Sequence, residues 1–191
     1  MRERERHILE AAVRVIAEDG VQGVRIGKVA AEARVSTALI YHYFEDRAGV
    51  LRHALEYLDL RAAAHIEEAV PADLGPRAAL DQMLLVELQS ALDVRMHCIA
   101  WGELRASAVF APDLRETLRS TTGEWVDHVA EVMREAVETA HGTPAPDLTG
   151  AAERLTTLVE GLSKRWLSGS CTIERTRELL SGAIAAELAA I

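Results

Sequence analysis

The chain has 191 residues, 49% of them hydrophobic, enough to bury a substantial core and too apolar for a disordered protein. Its net charge of −9 excludes a generally basic nucleic-acid binder, and its two cysteines, Cys98 and Cys171, fit neither a secreted disulfide framework nor a CxxC metal or redox motif. The charged start MRERERHILEAA is no signal segment and no run reaches the roughly 18 to 20 apolar residues of a membrane span, so a cytoplasmic protein with no membrane association, metal or cofactor is expected.

Apolar segments rich in Ala, Leu, Arg and Glu, without period-two runs of β-branched residues, predict an all-α fold. The first helix is expected over Glu3 to Glu18, where Ile8, Ala11, Ala12, Val15 and Ile16 keep the 3.6-residue period and Asp19-Gly20 supplies a stop. Ile26, Val29, Ala30 and Ala33 mark a short second helix. Ser36 then caps a third, STALIYHY, through its hydroxyl. A long helix follows from Val50 to about Val70 and ends at Pro71 and Pro76, which cannot continue it. Later helices are expected over Arg77 to Asp93, Arg95 to Ser107, Asp113 to Thr139, Leu148 to Leu167 and Ile173 to Ala190, separated at Ala111-Pro112, HGTPAPD and SGSCT.

The charge is unevenly placed. Residues 1 to 53 carry nine Arg and Lys against eight Asp and Glu, whereas the remainder carries twelve against twenty-two, so any contact with duplex DNA must come from the N-terminal quarter. Three of the eight aromatic residues, Tyr41, Tyr43 and Phe44, crowd into the third helix of that quarter. A two-turn helix is barely stable alone and needs anchoring. Ile40 and Phe44 stand four apart and with Val35 supply it, which turns Thr37, Ala38, Tyr41 and His42 outward. Hydroxyl, imidazole and the nearby guanidinium of Arg47 suit phosphate oxygens, and Tyr43 serves either side.

Two short helices joined by about three residues, the second with a polar N-terminal face, make a helix-turn-helix. The run IGKVAAEARVSTALIYHYFEDRAGVLRHAL resembles the DNA-binding domain of TetR-type (TetR/AcrR) transcriptional regulators, with Ile8, Ala11, Ala12, Gly20, Val29, Ala30, Val35, Ser36, Tyr41, Phe44, Arg47 and Leu51 on the pattern. The resemblance covers roughly residues 5 to 53, and VEGLSKRWLSG is weakly similar to the C-terminal domain of BetI-like members. It implies a three-helix helix-turn-helix domain over 1–48 and a six-helix ligand-binding and dimerisation domain over 49–191. It also implies DNA contacts from the capped start at Ser36, from Thr37, Ala38 and Leu39 at base edges, and from Tyr41, His42, Tyr43 and Arg47, with Arg25 and Lys28 added from the second helix. Arg25 stands where members commonly carry a capping hydroxyl, Gly27 offers no side chain to the bases, and Arg34 replaces a turn glycine at a cost of roughly 1 kcal/mol if the position is left-handed. Specificity then leans on the third helix, on DNA deformability, and on RERER over Arg2 to Arg6 where it forms an arm; its other reading is a solvated helix start with internal salt bridges.

Beyond residue 54 the residues speak less clearly. Met83, Leu84, Leu88, Met96, Trp101, Phe110, Trp125 and Val129 either pack as core or line a ligand cavity, with Glu87, Glu103, Arg105 and His128 as polar groups for an unknown small-molecule effector. Leu155, Leu158, Val159, Leu162 and Trp166, with Leu179, Leu180 and Ile184, form apolar faces on the last two helices that the resemblance assigns to a homodimer interface. Glu124, Asp127, His128 and Glu131 share one helix face and read as a solvated surface before a metalloenzyme site, while His97-Cys98 reads as a buried thiol beside an ordinary histidine. The expected protein is a non-enzymatic, dimeric regulator, most readily a repressor released from a palindromic operator by a small molecule. The alternatives are a helical scaffold with a degenerate DNA head and a helical-bundle metalloenzyme.

Overall fold

The computed structural model describes residues 1–142 and 147–190, and among them every regular element is helical. In chain order these are α1 (Glu3–Gly23), α2 (Ile26–Glu32), α3 (Thr37–Phe44), α4 (Arg47–Ala69), α5 (Pro76–Leu85), α6 (Leu92–Ala108), a 3₁₀ turn (Pro112–Leu114), α7 (Arg115–His141), α8 (Thr149–Leu167) and α9 (Ile173–Ala189). Within the expected HGTPAPD boundary, residues 143–146 lie outside the described residues. No helix among the described residues is long and apolar enough to cross a membrane.

The chain forms two compact units, Met1–Ala62 with Arg95–Thr121, and Ala63–Val94 with Thr122–Ile191. The first is built on Ile8, Ile16, Val29, Ile40, Phe44, Leu55 and Leu58, joined by Ala100, Leu104 and Ala108 of α6 and by Leu114. The second is built on Ile66, Leu80, Met83, Leu84 and Leu88, with Val129, Met133, Leu155, Leu162, Leu180 and Ile184. The three N-terminal helices therefore share one core with α6, and the division expected after residue 48 falls inside the first turn of α4.

Four helix boundaries differ from expectation for identifiable reasons. Gly20 does not end α1; it bends it at φ +70°, and one further turn runs to Gly23. The start of α4 lies earlier, at Arg47, where the Asp46 carboxylate accepts the Gly49 amide at 2.7 Å and caps the first turn. The helix expected to continue to Asp93 stops at Leu85 because Arg177 of α9 donates to the carbonyls of Leu85 and Leu88 at 2.9 and 2.7 Å, satisfying acceptors that a continuous helix would have used itself. Likewise Arg115 donates to the carbonyls of Ala108 and Val109 at 3.0 and 2.8 Å, closing α6 and placing the start of α7 after the Pro112 turn.

RERER is the first turn of α1 and its cap instead of an extended arm. The Glu5 carboxylate accepts the Arg2 amide at 3.1 Å, and Arg6 lies 3.7 Å from Glu10 one turn on. Tyr57 of α4 donates to Glu10 at 3.3 Å, and its burial together with that carboxylate pushes the phenol pKa up.

Candidate nucleic-acid interface

α3 is eight residues long, too short to hold itself. Its stability comes from three sources that the sequence places at fixed points. The Ser36 hydroxyl accepts the Leu39 amide at 3.2 Å, and Ile40 and Phe44 are fully buried in the first core. Burying those two side chains contributes on the order of 3–6 kcal/mol. That outweighs the strain at the two ends of the helix, where Arg34 has φ +53° and Glu45 φ +63°, at roughly 1–2 kcal/mol each. At Glu45 the chain folds so tightly that the Asp46 amide reaches the Phe44 carbonyl at 2.6 Å.

Because Arg34 carries the left-handed geometry that a turn glycine would take freely, Arg34→Gly should raise the free energy of unfolding by up to about 1 kcal/mol in chemical denaturation. A destabilised variant would show that the Arg34 side chain makes an interaction worth more than the strain.

With Ile40 and Phe44 turned inward, Thr37, Ala38, Tyr41 and His42 stand on the solvent side, Tyr41 with 52% of its surface exposed. Leu39 and Tyr43 are half-buried against the core, and Tyr43 meets His42 edge-on at 5.3 Å and lies tilted to Phe44 at 6.0 Å between ring centres. Tyr43 therefore braces the exposed His42 ring from below. On α2, Arg25 is exposed at the cap position and makes no capping bond, Gly27 faces open space, and Lys28 pairs with Asp19. The short helix is held to α1 by the Arg14–Glu32 pair at 2.6 Å and by His7 Nε2 against the Ala33 carbonyl at 2.9 Å.

Arg47 has a job that its position in the sequence did not disclose. Its guanidinium donates to the Val21 and Val24 carbonyls at 2.6 and 2.8 Å, tying the start of α4 to the end of α1. A planar fork reaches both acceptors, which an ammonium cannot do with the same geometry.

The exposed helix-turn-helix face lies on a locally positive segment of an acidic chain, and two stretches of the chain match families of known proteins. Residues 8–54 match the bacterial regulatory proteins of the tetR family, and residues 76–189 match the C-terminal region of the BetI-type transcriptional repressor. The chain belongs to the tetR family. It is similar to the HTH-type transcriptional regulator BetI of Burkholderia mallei, 28% identical over 89% of this chain and 84% of that one, and to BetI of Cronobacter sakazakii, 26% identical over 97% and 91%. Among solved structures it resembles a Rhodococcus sp. protein assigned to the TetR family, 40% identical with a TM-score of 0.90 over 98% of this chain and all of that one. It also resembles a Saccharomonospora viridis protein assigned as a transcriptional regulator and solved in complex with choline, 25% identical with a TM-score of 0.82 over 96% of each. This tetR-family chain is a DNA-binding transcriptional regulator.

The residues expected at an effector site distribute between the two units. In the first, Trp101 lies nearly parallel to His97 at 6.5 Å, the Arg105 guanidinium sits 5.8 Å from the Trp101 ring centre, and Met96 is half-buried. Phe110 is 89% exposed in the turn past the end of α6, so it does not pack as core. Glu103, expected to orient a ligand, instead accepts the Val21 amide at 3.1 Å. In the second unit Met83 is core, Trp125 is half-buried and meets the edge of His128 at 6.0 Å, and His128 is exposed. Glu87, in the turn between buried Val86 and Leu88, is partly buried; protein crowded around its carboxyl desolvates it and pushes its pKa up to about 7. His65 of α4, which the sequence did not single out, has a buried Nε2 without a hydrogen-bond partner among the described residues.

The apolar set expected at a dimer interface is spent inside the chain. Leu155, Val159, Leu162, Trp166, Leu180 and Ile184 are buried within one copy, and Leu158 and Leu179 of that set are half-buried. The periodicity marked a buried face correctly, but the second core claims it. What α8 turns outward is a shallow channel bordered by Gly150, Thr157, Leu158, Gly161 and Arg165, beside Arg154, whose guanidinium grips Glu187 of α9 at 2.6 and 2.7 Å. Glu124, Asp127 and His128 are exposed and Glu131 pairs with Arg134, and among the described residues no three His, Cys, Asp or Glu side chains gather as a metal site would need.

Proposed function

We propose that this regulator acts in the cytoplasm as a homodimeric repressor that leaves a palindromic operator when a small organic cation binds its C-terminal region. The observation that carries the DNA half is the outward face of α3, where Thr37, Ala38, Tyr41 and His42 project from a helix whose other side is locked into the core. Dimerisation through the outward channel of α8 brings two such faces into the two-fold relation that a palindrome requires. Glycines at 150 and 161 in that channel let a second copy approach closely.

The effector half rests on Glu87 and Trp125, a desolvated carboxyl and a half-buried aromatic ring in the same compact unit, the two kinds of group that recognise quaternary ammonium ions. It accords with the choline bound by the Saccharomonospora viridis relative. The decisive experiment titrates the protein with duplex DNA from around its own gene at several salt concentrations, with and without choline and with an unrelated duplex as control. Selective, steeply salt-dependent binding that choline weakens supports the proposal. Binding that does not discriminate between duplexes sinks the operator reading, and selective binding indifferent to choline sinks the cation.

The carboxyl also makes the response depend on pH. A cation prefers the ionised form, so choline affinity measured by calorimetry should rise about tenfold per pH unit up to about 7 and level off above it. Glu87→Gln should remove that slope. In the free protein the sign is opposite. The folded chain retains a proton that the unfolded chain releases near 4.5, so the stability tied to Glu87 is full below that pH and is lost as pH rises through about 7.

A further inference from the structure

The bend in α1 has a cause and a cost. At Gly20 the chain leaves helical geometry with φ +70° and ψ 172°, which detaches the Val21 amide from the helical ladder. That amide is taken by the carboxylate of Glu103, contributed by α6 from 82 positions further along the same compact unit, at 3.1 Å. The fit around the bond is close: a Cβ placed on Gly20 would lie 2.8 Å from Glu103 Oε2, so the glycine both takes the left-handed turn and leaves room for the carboxylate. The carbonyl of the same Val21 residue accepts from Arg47, three residues past the end of α3.

Val21 is thus gripped from two sides, its N–H by α6 and its C=O by the residue that starts α4. Its own side chain and that of Val24 are buried, so the turn cannot shift without disturbing the core beneath α2 and α3. We propose that Glu103 is the positioning residue through which α6 and the DNA-reading helices sense one another. With the bond made, displacement of α6 carries the α1 bend and Arg47 with it; by reciprocity, clamping α3 on DNA orders α6. The inference rests on the head's binding DNA and is independent of which effector the protein takes.

The test compares wild type, Glu103→Ala and Glu103→Gln by peptide-resolved hydrogen exchange, free and bound to a duplex that the wild-type protein has enriched from a random pool. Alanine is a good helix former and Gln keeps an oxygen that can accept the Val21 amide, so both variants should fold. In the free protein Glu103→Ala should speed exchange at Val21 about tenfold, the loss of one hydrogen bond, and Glu103→Gln should restore most of it. On the duplex, wild type and Glu103→Gln should show slowed exchange across Arg95–Ser107 of α6, and Glu103→Ala should lose that slowing while keeping it over α2 and α3. Equal slowing of α6 in all three proteins, or none in wild type, overturns the proposal. Failure of wild type to enrich any duplex sinks the operator reading instead, and the bond is then judged on Val21 exchange in the free protein, where an unchanged rate in Glu103→Ala refutes it.

Discussion

Replacing Tyr41 and His42 together by alanine should lower affinity for the cognate duplex by about 100-fold while leaving the thermal midpoint nearly unchanged. Both side chains stand on the solvent side of α3, so little packing goes with them, and the anchors Ile40 and Phe44 and the Ser36 cap remain. Each base or phosphate interaction removed is worth roughly 1–3 kcal/mol, about tenfold or more in affinity per residue. Fluorescence anisotropy at several salt concentrations separates the two kinds. Removing a cationic contact to a phosphate reduces the salt slope by about one, whereas removing an uncharged phosphate contact such as a tyrosine hydroxyl leaves the slope alone and weakens all duplexes alike. Removing a base contact relaxes sequence preference. Full affinity in the double variant would mean that this face is not the reading surface. The helical-scaffold alternative would then gain.

Gly49→Ala is the second large effect, and its sign is what makes it informative. In an ordinary helix the change stabilises by about 0.5–1 kcal/mol, because glycine loses the most backbone freedom on folding. Here a Cβ at residue 49 would fall 1.9 Å from the Phe44 carbonyl oxygen, a backbone atom held in place by the tight turn at Glu45 and by burial of the Phe44 ring. Neither side can yield without moving the end of α3, so the variant should lose about 2–4 kcal/mol of stability. The thermal midpoint should drop by roughly 5–15 °C, and operator affinity with it. A neutral or stabilised Gly49→Ala would show that the α3–α4 joint is looser than this geometry. The same close approach explains why the FEDRAG turn needs its glycine even though residue 49 has ordinary helical geometry.

The features legible in the chain alone are local or periodic. Ser36 as a cap, Ile40 and Phe44 as anchors, Thr37, Ala38, Tyr41 and His42 as the outward set, and the helical class of the chain all follow from a hydroxyl before a helix and from a 3.6-residue period, information carried within a few residues. Periodicity says that a face is buried; it does not say against what. For that reason the Leu155 to Ile184 faces, which the resemblance assigned to a dimer seam and which could also pack inside one copy, are seen only in the folded chain to be largely buried within that copy. Pairings between distant residues were invisible for the same reason. The stop of α5 at Leu85 depends on Arg177, the engagement of Arg47 depends on carbonyls 23 and 26 residues earlier, and the partner of Glu103 lies 82 residues away. Each pairs a long charged side chain with a backbone group, a combination with no sequence period, so only the folded chain brings the two together.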